Sequence, residues 1–94
     1  MTGGAERSQV PVVTVFGKPD CHLCDQALEL LRAMSEREGF QIVERDITLD
    51  EDLHRAYFER IPVIALEGEE LSDYFVDEAR LRDALTRHRS APRR

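Results

Sequence analysis

The sequence predicts a single α/β domain, and the order of its segments indicates this. A short β-branched run, a segment with apolar residues at helical spacing and a second β-branched run follow one another in the first half of the chain. Such a βαβ unit places its two strands parallel through a right-handed crossover. The second half adds a short helix, a hairpin pattern and a final helix, and 94 residues is the length of one domain. We therefore expect a four-stranded mixed sheet with three helices, in the order βαβ-α-ββα.

The βαβ unit is predicted by the pattern of the first half of the chain. Residues 11–16, "PVVTVF", are short and β-branched, which is typical of a buried strand. From Cys21 apolar residues recur at helical spacing to about Glu38, and Gly39 marks the end of the helix. Residues 40–47, "FQIVERDI", predict the second strand. The expected inward positions of the helix are Leu23, Ala27, Leu30, Leu31 and Met34.

The third and fourth strands are predicted as a hairpin that follows a short helix. Thr48 and Glu51 fit a capping box, which would begin this helix. Residues 62–66, "PVIAL", then Gly68, then residues 70–75, "ELSDYF", are typical of two strands joined by a tight turn. The apolar positions expected on the short helix are Leu53, Ala56 and Tyr57.

A final helix is predicted to begin at Asp77. This residue fits an N-cap, and Val76 and Leu81 are placed as its hydrophobic staple. The positions expected to face inward are Leu81, Ala84 and Leu85. From the polar composition at both ends, we expect a flexible N-terminal arm at 1–9, a domain at 10–89 and a polar tail at 90–94.

Composition and charge exclude several classes of protein. The chain is 41% hydrophobic and 34% charged, as in an ordinary globular domain. Its net charge of −6 argues against nucleic-acid binding, which needs a basic face. No apolar run approaches the roughly 18 residues that span a bilayer, and "MTGGAERSQ" lacks a hydrophobic signal region. We therefore expect a cytoplasmic monomer without a membrane partner, in a compartment that keeps thiols reduced.

The two cysteines of the chain form a Cys-x-x-Cys motif where the first strand gives way to the helix. At the helix cap, Cys21 would face unpaired backbone amides and the positive end of the helix dipole, which favour the nucleophilic thiolate. Cys24, almost one turn on, would attack a mixed disulfide formed at Cys21 while staying better shielded. Lys18 adds positive charge, whereas Asp20 and Asp25 disfavour the thiolate. The motif predicts a redox pair, with Cys21 as nucleophile and Cys24 as resolving thiol.

Two other roles for the cysteine pair stay open at this point. A structural zinc site needs four ligands. The histidines that would have to join the pair, His22, His54 and His88, stand at unrelated spacings, so we expect no metal. The cysteines can also be two small buried core residues. Their position between strand and helix favours the redox role over both.

A proline at the start of a predicted buried strand is the second landmark. Pro62, in "RIPVIAL", cannot donate a hydrogen bond to the sheet. Together with the βαβ order and the helix-cap Cys-x-x-Cys, this Ile-Pro makes the chain resemble the thioredoxin superfamily. The likeness is greatest to small glutaredoxin-like proteins with "KPxCHLC" and "RIPV" motifs, over residues 12–87. The resemblance implies a thioredoxin-like fold in which Pro62 is cis, Ile61 offers backbone hydrogen bonds to an incoming disulfide, and Lys18 meets a glutathione carboxylate.

The chain departs from the glutaredoxin pattern at two places. It reads Cys-His-Leu-Cys instead of Cys-Pro-Tyr-Cys, so a protonated His22 would favour the neighbouring thiolate. Alternatively, His22 is an exposed first-turn residue with no role. Ser72 and Asp73 stand where glutaredoxins have two glycines that hold the glutathione backbone, so close approach of a backbone is poorer there.

The resemblance implies a thiol–disulfide oxidoreductase that acts on a disulfide-bearing protein or on a small-thiol mixed disulfide. It would need no bound cofactor, and glutathione, another low-molecular-weight thiol or a partner reductase would supply electrons. Two alternatives stay open. One is a non-catalytic thioredoxin-fold module that binds a partner protein around Pro62. The other is a glutathione-assisted iron–sulfur carrier, in which two chains share a cluster through Cys21.

Overall fold

A computed structural model describes residues 10–90, in which a four-stranded sheet carries three α-helices. The strands are β1 (Val12–Gly17), β2 (Gln41–Asp46), β3 (Val63–Leu66) and β4 (Glu69–Asp73). The helices are α1 (His22–Glu38), α2 (Glu51–Tyr57) and α3 (Glu78–Ser90), and a 3₁₀ helix, Ile47–Leu49, precedes α2. The predicted arm at 1–9 and residues 91–94 of the predicted tail lie outside the described residues.

The sheet has the strand order β2-β1-β3-β4. β1 and β2, which α1 connects, are parallel, and Val12 stands opposite Gln41. β3 runs antiparallel to both β1 and β4, and the β3–β4 hairpin turns at Gly68, whose φ of 89° suits glycine. The α/β class, the mixed sheet and the order of elements are confirmed.

The two faces of the sheet are covered by different helices. Val13 and Val15 of β1 share one face with the residues opposite them on β3, and they join a core to which α1 and α3 contribute. Because side chains alternate along a strand, Phe16 points to the other face, where its ring stacks on Tyr57 of α2 with 4.5 Å between centroids. The helical core residues are Ala27, Leu31 and Met34 from α1 and Leu81, Ala84 and Leu85 from α3.

The ends of α1 and α3 follow the sequence prediction. Gly39 ends α1 in a left-handed conformation (φ 79°), and its N–H donates to the Ser35 carbonyl at 2.8 Å. Asp77 Oδ1 accepts a hydrogen bond from the Arg80 N–H at 3.1 Å, as an N-cap does. None of the helices in residues 10–90 combines the length and apolar character needed to cross a membrane.

The predicted capping box of the short helix is wrong. Asp50 caps α2, because its Oδ1 accepts hydrogen bonds from the Asp52 N–H at 2.9 Å and the Leu53 N–H at 3.1 Å. Thr48 lies inside the 3₁₀ helix, and its hydroxyl donates to Asp46 at 2.6 Å. Because α2 begins at Glu51, Glu51 is its first residue and not the third helical residue that a capping box with Thr48 requires.

Leu23, predicted to face inward from α1, is instead 48% exposed. The buried side chains of α1 begin one residue later, at Cys24, and continue at Ala27, Leu31 and Met34. This spacing is a regular helical stripe, and Leu23 lies beside it in the first turn. The cysteine therefore takes the inward position that the sequence assigned to leucine.

Candidate active site

Cys21 caps the N-terminus of α1. Its backbone is extended (φ −122°, ψ 105°), and its Sγ accepts a hydrogen bond from the Cys24 N–H at 3.2 Å. The Cys21 carbonyl accepts the first helical hydrogen bond, from the Asp25 N–H at 3.0 Å. The sulfur therefore occupies the place of an N-cap oxygen and faces the positive end of the helix dipole, as predicted.

Cys24 lies in the first turn of α1 and is joined to Cys21 by a disulfide, with 5.2 Å between the two Cα atoms. The two cysteines differ in exposure. Cys21 is half-buried, whereas Cys24 is only 4% exposed. An incoming molecule therefore meets Cys21 first, while the sulfur of Cys24 is directed to its partner within the chain.

Gly17, the last residue of β1, lies against Cys24. A Cβ atom on Gly17 would lie 2.8 Å from Cys24 Sγ and 3.3 Å from Cys24 Cβ. The first distance is well inside the ordinary separation of non-bonded atoms, about 3.5 Å or more. The sequence alone did not single out Gly17, although a glycine in a strand often marks such a close approach.

The segment between β1 and α1, residues 18–20, is exposed to solvent. Asp20 has a left-handed backbone (φ 58°), which aspartate adopts more readily than most residues. Lys18 and Cys24 both line a cavity of about 390 Å³ whose other walls include residues of β2. The predicted Lys18 charge therefore lies on the β2 side of the cysteine pair. His22 is exposed at the start of α1, and its effect on the thiolate stays a prediction.

The Ile61–Pro62 peptide bond is cis, as the resemblance implies. Pro62 is buried at the start of β3, which runs antiparallel beside the end of β1. Since the end of β1 leads to Cys21, the cis bond and the cysteine pair lie at the same end of the sheet. No hydrogen bond joins the Ile61 backbone to another residue in 10–90, so its N–H and C=O are free within that range.

Tyr74 holds the segment around the cis bond at two points. Its N–H donates to the Pro62 carbonyl at 2.8 Å, and its hydroxyl donates to the Glu59 carbonyl at 2.6 Å. Tyr74 itself has a left-handed backbone (φ 71°), which costs a non-glycine residue about 1–2 kcal/mol. Two hydrogen bonds of about 0.5–1.5 kcal/mol each offset that cost. Ser72 and Asp73, which stand where glutaredoxins have two glycines, are the last two residues of β4, and Tyr74 follows them directly.

Arg60, which precedes Ile61, is held by two carboxylates of β4. Its Nε and Nη2 donate to the two oxygens of Asp73, both at 3.1 Å, and Nη2 donates to Glu70 at 2.5 Å. The hydrogen bonds to Asp73 and Glu70 raise the pKa of Arg60, and the bond from Arg60 holds the pKa of Glu70 below its ordinary value. The Tyr57 hydroxyl also donates to Glu70, at 2.9 Å, and burial followed by this bond raises the pKa of Tyr57. This network, which the sequence did not predict, fixes the residue before Ile61.

Histidines are distributed over all three helices. His54 stacks on Phe58 with 5.3 Å between ring centroids, while His22 begins α1 and His88 lies on α3. Among residues 10–90, no group of three or more histidine, cysteine, aspartate or glutamate side chains converges on a position for a metal ion.

The chain is similar to one protein family and to solved structures of one fold. Residues 12–86 match the family described as the glutaredoxin-like domain (DUF836). The uncharacterized protein Rv0508 of Mycobacterium tuberculosis is 32% identical over 82 residues, which cover 82% of this chain and 84% of that protein. Protein Ne2328 from Nitrosomonas europaea is 30% identical, with a TM-score of 0.74 over 80% of this chain and 91% of its own. A thioredoxin from Halobacterium salinarum shares the fold at 20% identity, with a TM-score of 0.61 over 88% of this chain and 78% of its own.

Proposed function

The chain belongs to the glutaredoxin-like domain family, and from this membership and the cysteine geometry we propose that it is a thiol–disulfide oxidoreductase. The observation that carries the proposal is the asymmetry of the Cys21–Cys24 pair. Cys21 Sγ accepts a backbone N–H at a helix N-terminus and is the more exposed sulfur, whereas Cys24 is 4% exposed. A helix N-terminus favours an anion, so Cys21 is the better placed of the two to be the thiolate nucleophile.

The proposed reaction begins with the reduced protein. The Cys21 thiolate attacks one sulfur of a substrate disulfide, a new S–S bond forms, and the other substrate sulfur leaves as a thiolate. Cys24, after losing its proton, attacks the Cys21 sulfur and releases the second substrate thiol. The substrate has then gained two electrons and two protons, and the protein holds the Cys21–Cys24 disulfide. Two molecules of glutathione or of another low-molecular-weight thiol, or a partner reductase, would return the dithiol.

Ile61 and Lys18 would position the substrate on opposite sides of the end of β1. The Ile61 backbone has no hydrogen-bond partner within residues 10–90, so its N–H and C=O can pair with an extended segment that carries the disulfide. Lys18 is exposed on the β2 side, where its charge would attract a carboxylate of an anionic thiol such as glutathione. These contacts need no bound cofactor.

A protein-binding module is the second candidate, and two exposed aromatic side chains favour it. Tyr74 and Phe75 are 52% and 61% exposed, and the Tyr74 N–H contacts Pro62. Exposed aromatic side chains are common in surfaces that bind proteins. A non-catalytic module would bind its partner here, and its Cys21 would react as an ordinary thiol.

The rate of Cys21 alkylation against pH separates the two candidates. In the reduced protein carrying Cys24→Ser, the oxidoreductase requires a midpoint well below that of a free cysteine, and the module a midpoint close to it. Turnover of a mixed disulfide between glutathione and a small thiol is the second measurement. Cys21→Ser should abolish turnover, and Cys24→Ser should trap a mixed disulfide that mass spectrometry detects. If both variants are inert and neither traps anything, the assignment of roles is wrong.

A further inference from the structure

Gly17 is a glycine whose missing side chain provides space. Gly39 and Gly68 have left-handed backbones, with φ of 79° and 89°, and a Cβ atom on either would meet nothing within 4 Å. Gly17 is not left-handed, yet a Cβ atom there would lie 2.8 Å from Cys24 Sγ. Backbone conformation therefore explains why glycine stands at positions 39 and 68, whereas the nearby sulfur of Cys24 explains why glycine stands at position 17.

A methyl group at position 17 would affect the two redox states differently. In the disulfide, Cys24 Sγ is bonded to Cys21, so it cannot leave the contact without disturbing that bond. It would need to retreat by about 0.7 Å to reach an ordinary separation of about 3.5 Å. In the dithiol, Sγ can turn about the Cα–Cβ bond, and the cavity of about 390 Å³ that Gly17 and Cys24 both line offers room. The methyl group would therefore destabilise the disulfide more than the dithiol.

We propose that Gly17 is a positioning residue for Cys24, because it leaves the space that Sγ occupies in the disulfide. Gly17 thereby sets the balance between the redox states and the speed at which Cys24 closes on a mixed disulfide at Cys21. In the equilibrium, the protein dithiol and oxidised glutathione give the protein disulfide and two molecules of glutathione, so two electrons and two protons pass to glutathione disulfide. The rate of closure rests on the proposed function, whereas the equilibrium rests only on the disulfide itself.

The test is Gly17→Ala in the full chain, equilibrated with defined mixtures of reduced and oxidised glutathione and then labelled at free thiols. We expect the equilibrium constant for disulfide formation to fall about tenfold, which corresponds to about 30 mV for this two-electron couple. Because a reacting group misplaced by about 1 Å can lose on the order of 100-fold in rate, closure of a mixed disulfide between Cys21 and glutathione should slow by at least about tenfold.

Val13→Ala is the matched control. Val13 lies on the same strand, is 0% exposed, and packs in a core cluster to which Cys24 does not belong. This variant should unfold at a lower denaturant concentration and leave the glutathione equilibrium unchanged. If Gly17→Ala moves the equilibrium no further than Val13→Ala does, the proposal is overturned.

A double variant covers the case in which Gly17→Ala alone does not fold. When Cys24→Ala is added, the 2.8 Å contact with the sulfur is gone and only the milder 3.3 Å contact with Cys24 Cβ is left, so the double variant should fold and should regain most of the stability that Gly17→Ala loses. A double variant as damaged as Gly17→Ala overturns the proposal. Failure of the proposed function has a different signature: the wild-type protein would turn over no disulfide substrate, while the glutathione equilibrium would still separate Gly17→Ala from Val13→Ala.

Discussion

Arg60 directly precedes Ile61, and its guanidinium fixes this segment against β4. We expect Arg60→Met to lower both the stability of the protein and its affinity for a disulfide substrate. Methionine keeps an unbranched stem, so the change removes mainly the guanidinium and its hydrogen bonds to Asp73 and Glu70. The side chains of Arg60, Asp73 and Glu70 are 36%, 34% and 42% exposed, so solvent screens both ion pairs. At about 0.2–1 kcal/mol for each of the two screened pairs, the free energy of unfolding should fall by about 0.4–2 kcal/mol at neutral pH.

The loss of stability should depend on pH, because the hydrogen bond from Arg60 holds the pKa of Glu70 below its ordinary value of 4.5. A carboxyl group whose pKa is lowered by folding contributes stability above its unfolded pKa, and that contribution disappears as the pH falls through the folded pKa. The difference in free energy of unfolding between wild type and Arg60→Met should therefore have its largest value at neutral pH and decrease as the pH falls below about 4.5. Urea denaturation at a series of pH values measures it.

Under the proposed function, turnover of a disulfide substrate supplies the second readout of Arg60→Met, because Arg60 is the chain neighbour of Ile61. A less firmly held Ile61 backbone should raise KM for a disulfide substrate and leave kcat nearly unchanged, since binding is affected more than attack by Cys21. Arg87→Met is the control, because Arg87 also contacts two carboxylates, Glu69 and Asp83, but at the other end of β4. Equal increases of KM in both variants, or an unchanged free energy of unfolding in Arg60→Met at neutral pH, would refute the reasoning.

Three further predictions test the fold and the site. Asp50→Ala should cost about 1 kcal/mol in denaturant unfolding through the lost N-cap of α2, and Thr48→Ala should cost less; the reverse order would contradict capping by Asp50. Lys18→Met should raise KM for a glutathione mixed disulfide more at low salt than at high salt, because salt screens the contact. A wild-type KM that does not change with salt concentration would argue against this contact. Leu85→Ala, at a position 0% exposed, should cost about 2–5 kcal/mol by urea denaturation, and a loss below about 1 kcal/mol would be inconsistent with the described packing of α3.

The elements and the cysteine pair were predictable from the sequence because their signals are local. A β-branched run followed by helical spacing predicts the βαβ unit whatever the rest of the chain does. The junction between the two places Cys21 at the helix cap, and Gly39 and Asp77 lie where left-handed and capping residues are favoured. Local signals fail where two residues compete for one role. Thr48 fits a cap by residue type, but the chain first forms a 3₁₀ helix over Ile47–Leu49, so α2 begins two residues later and Asp50 caps it.

The parts that the sequence did not predict depend on contacts between separate segments. Gly17 is ordinary as a strand end, and its role emerges only once α1 packs Cys24 against it. Arg60 contacts residues 10 and 13 positions further on, across the β3–β4 hairpin, whose register shifts between Ile64 and Ala65 by one extra residue of β4. Tyr74 takes a left-handed conformation that its residue type disfavours, because hydrogen bonds to the cis-proline segment hold it there.

The site separates groups that the fold holds in place from groups that it leaves in solvent. In the proposed thiol–disulfide exchange the attacking sulfur must lie in line with the bond it breaks, so the held groups should govern the rate for any disulfide substrate. Cys21 is fixed by its hydrogen bond at the helix N-terminus, and the sulfur of Cys24 fits into the space beside Gly17. Tyr74 fixes the cis-proline segment through its hydrogen bonds. Lys18 and Phe75, by contrast, are exposed, so their side chains are free to contact different parts of different substrates. Substitutions of the held groups should therefore change the reaction of every disulfide alike, whereas substitutions of Lys18 or Phe75 should change which disulfides are preferred and leave the intrinsic reactivity of Cys21 intact.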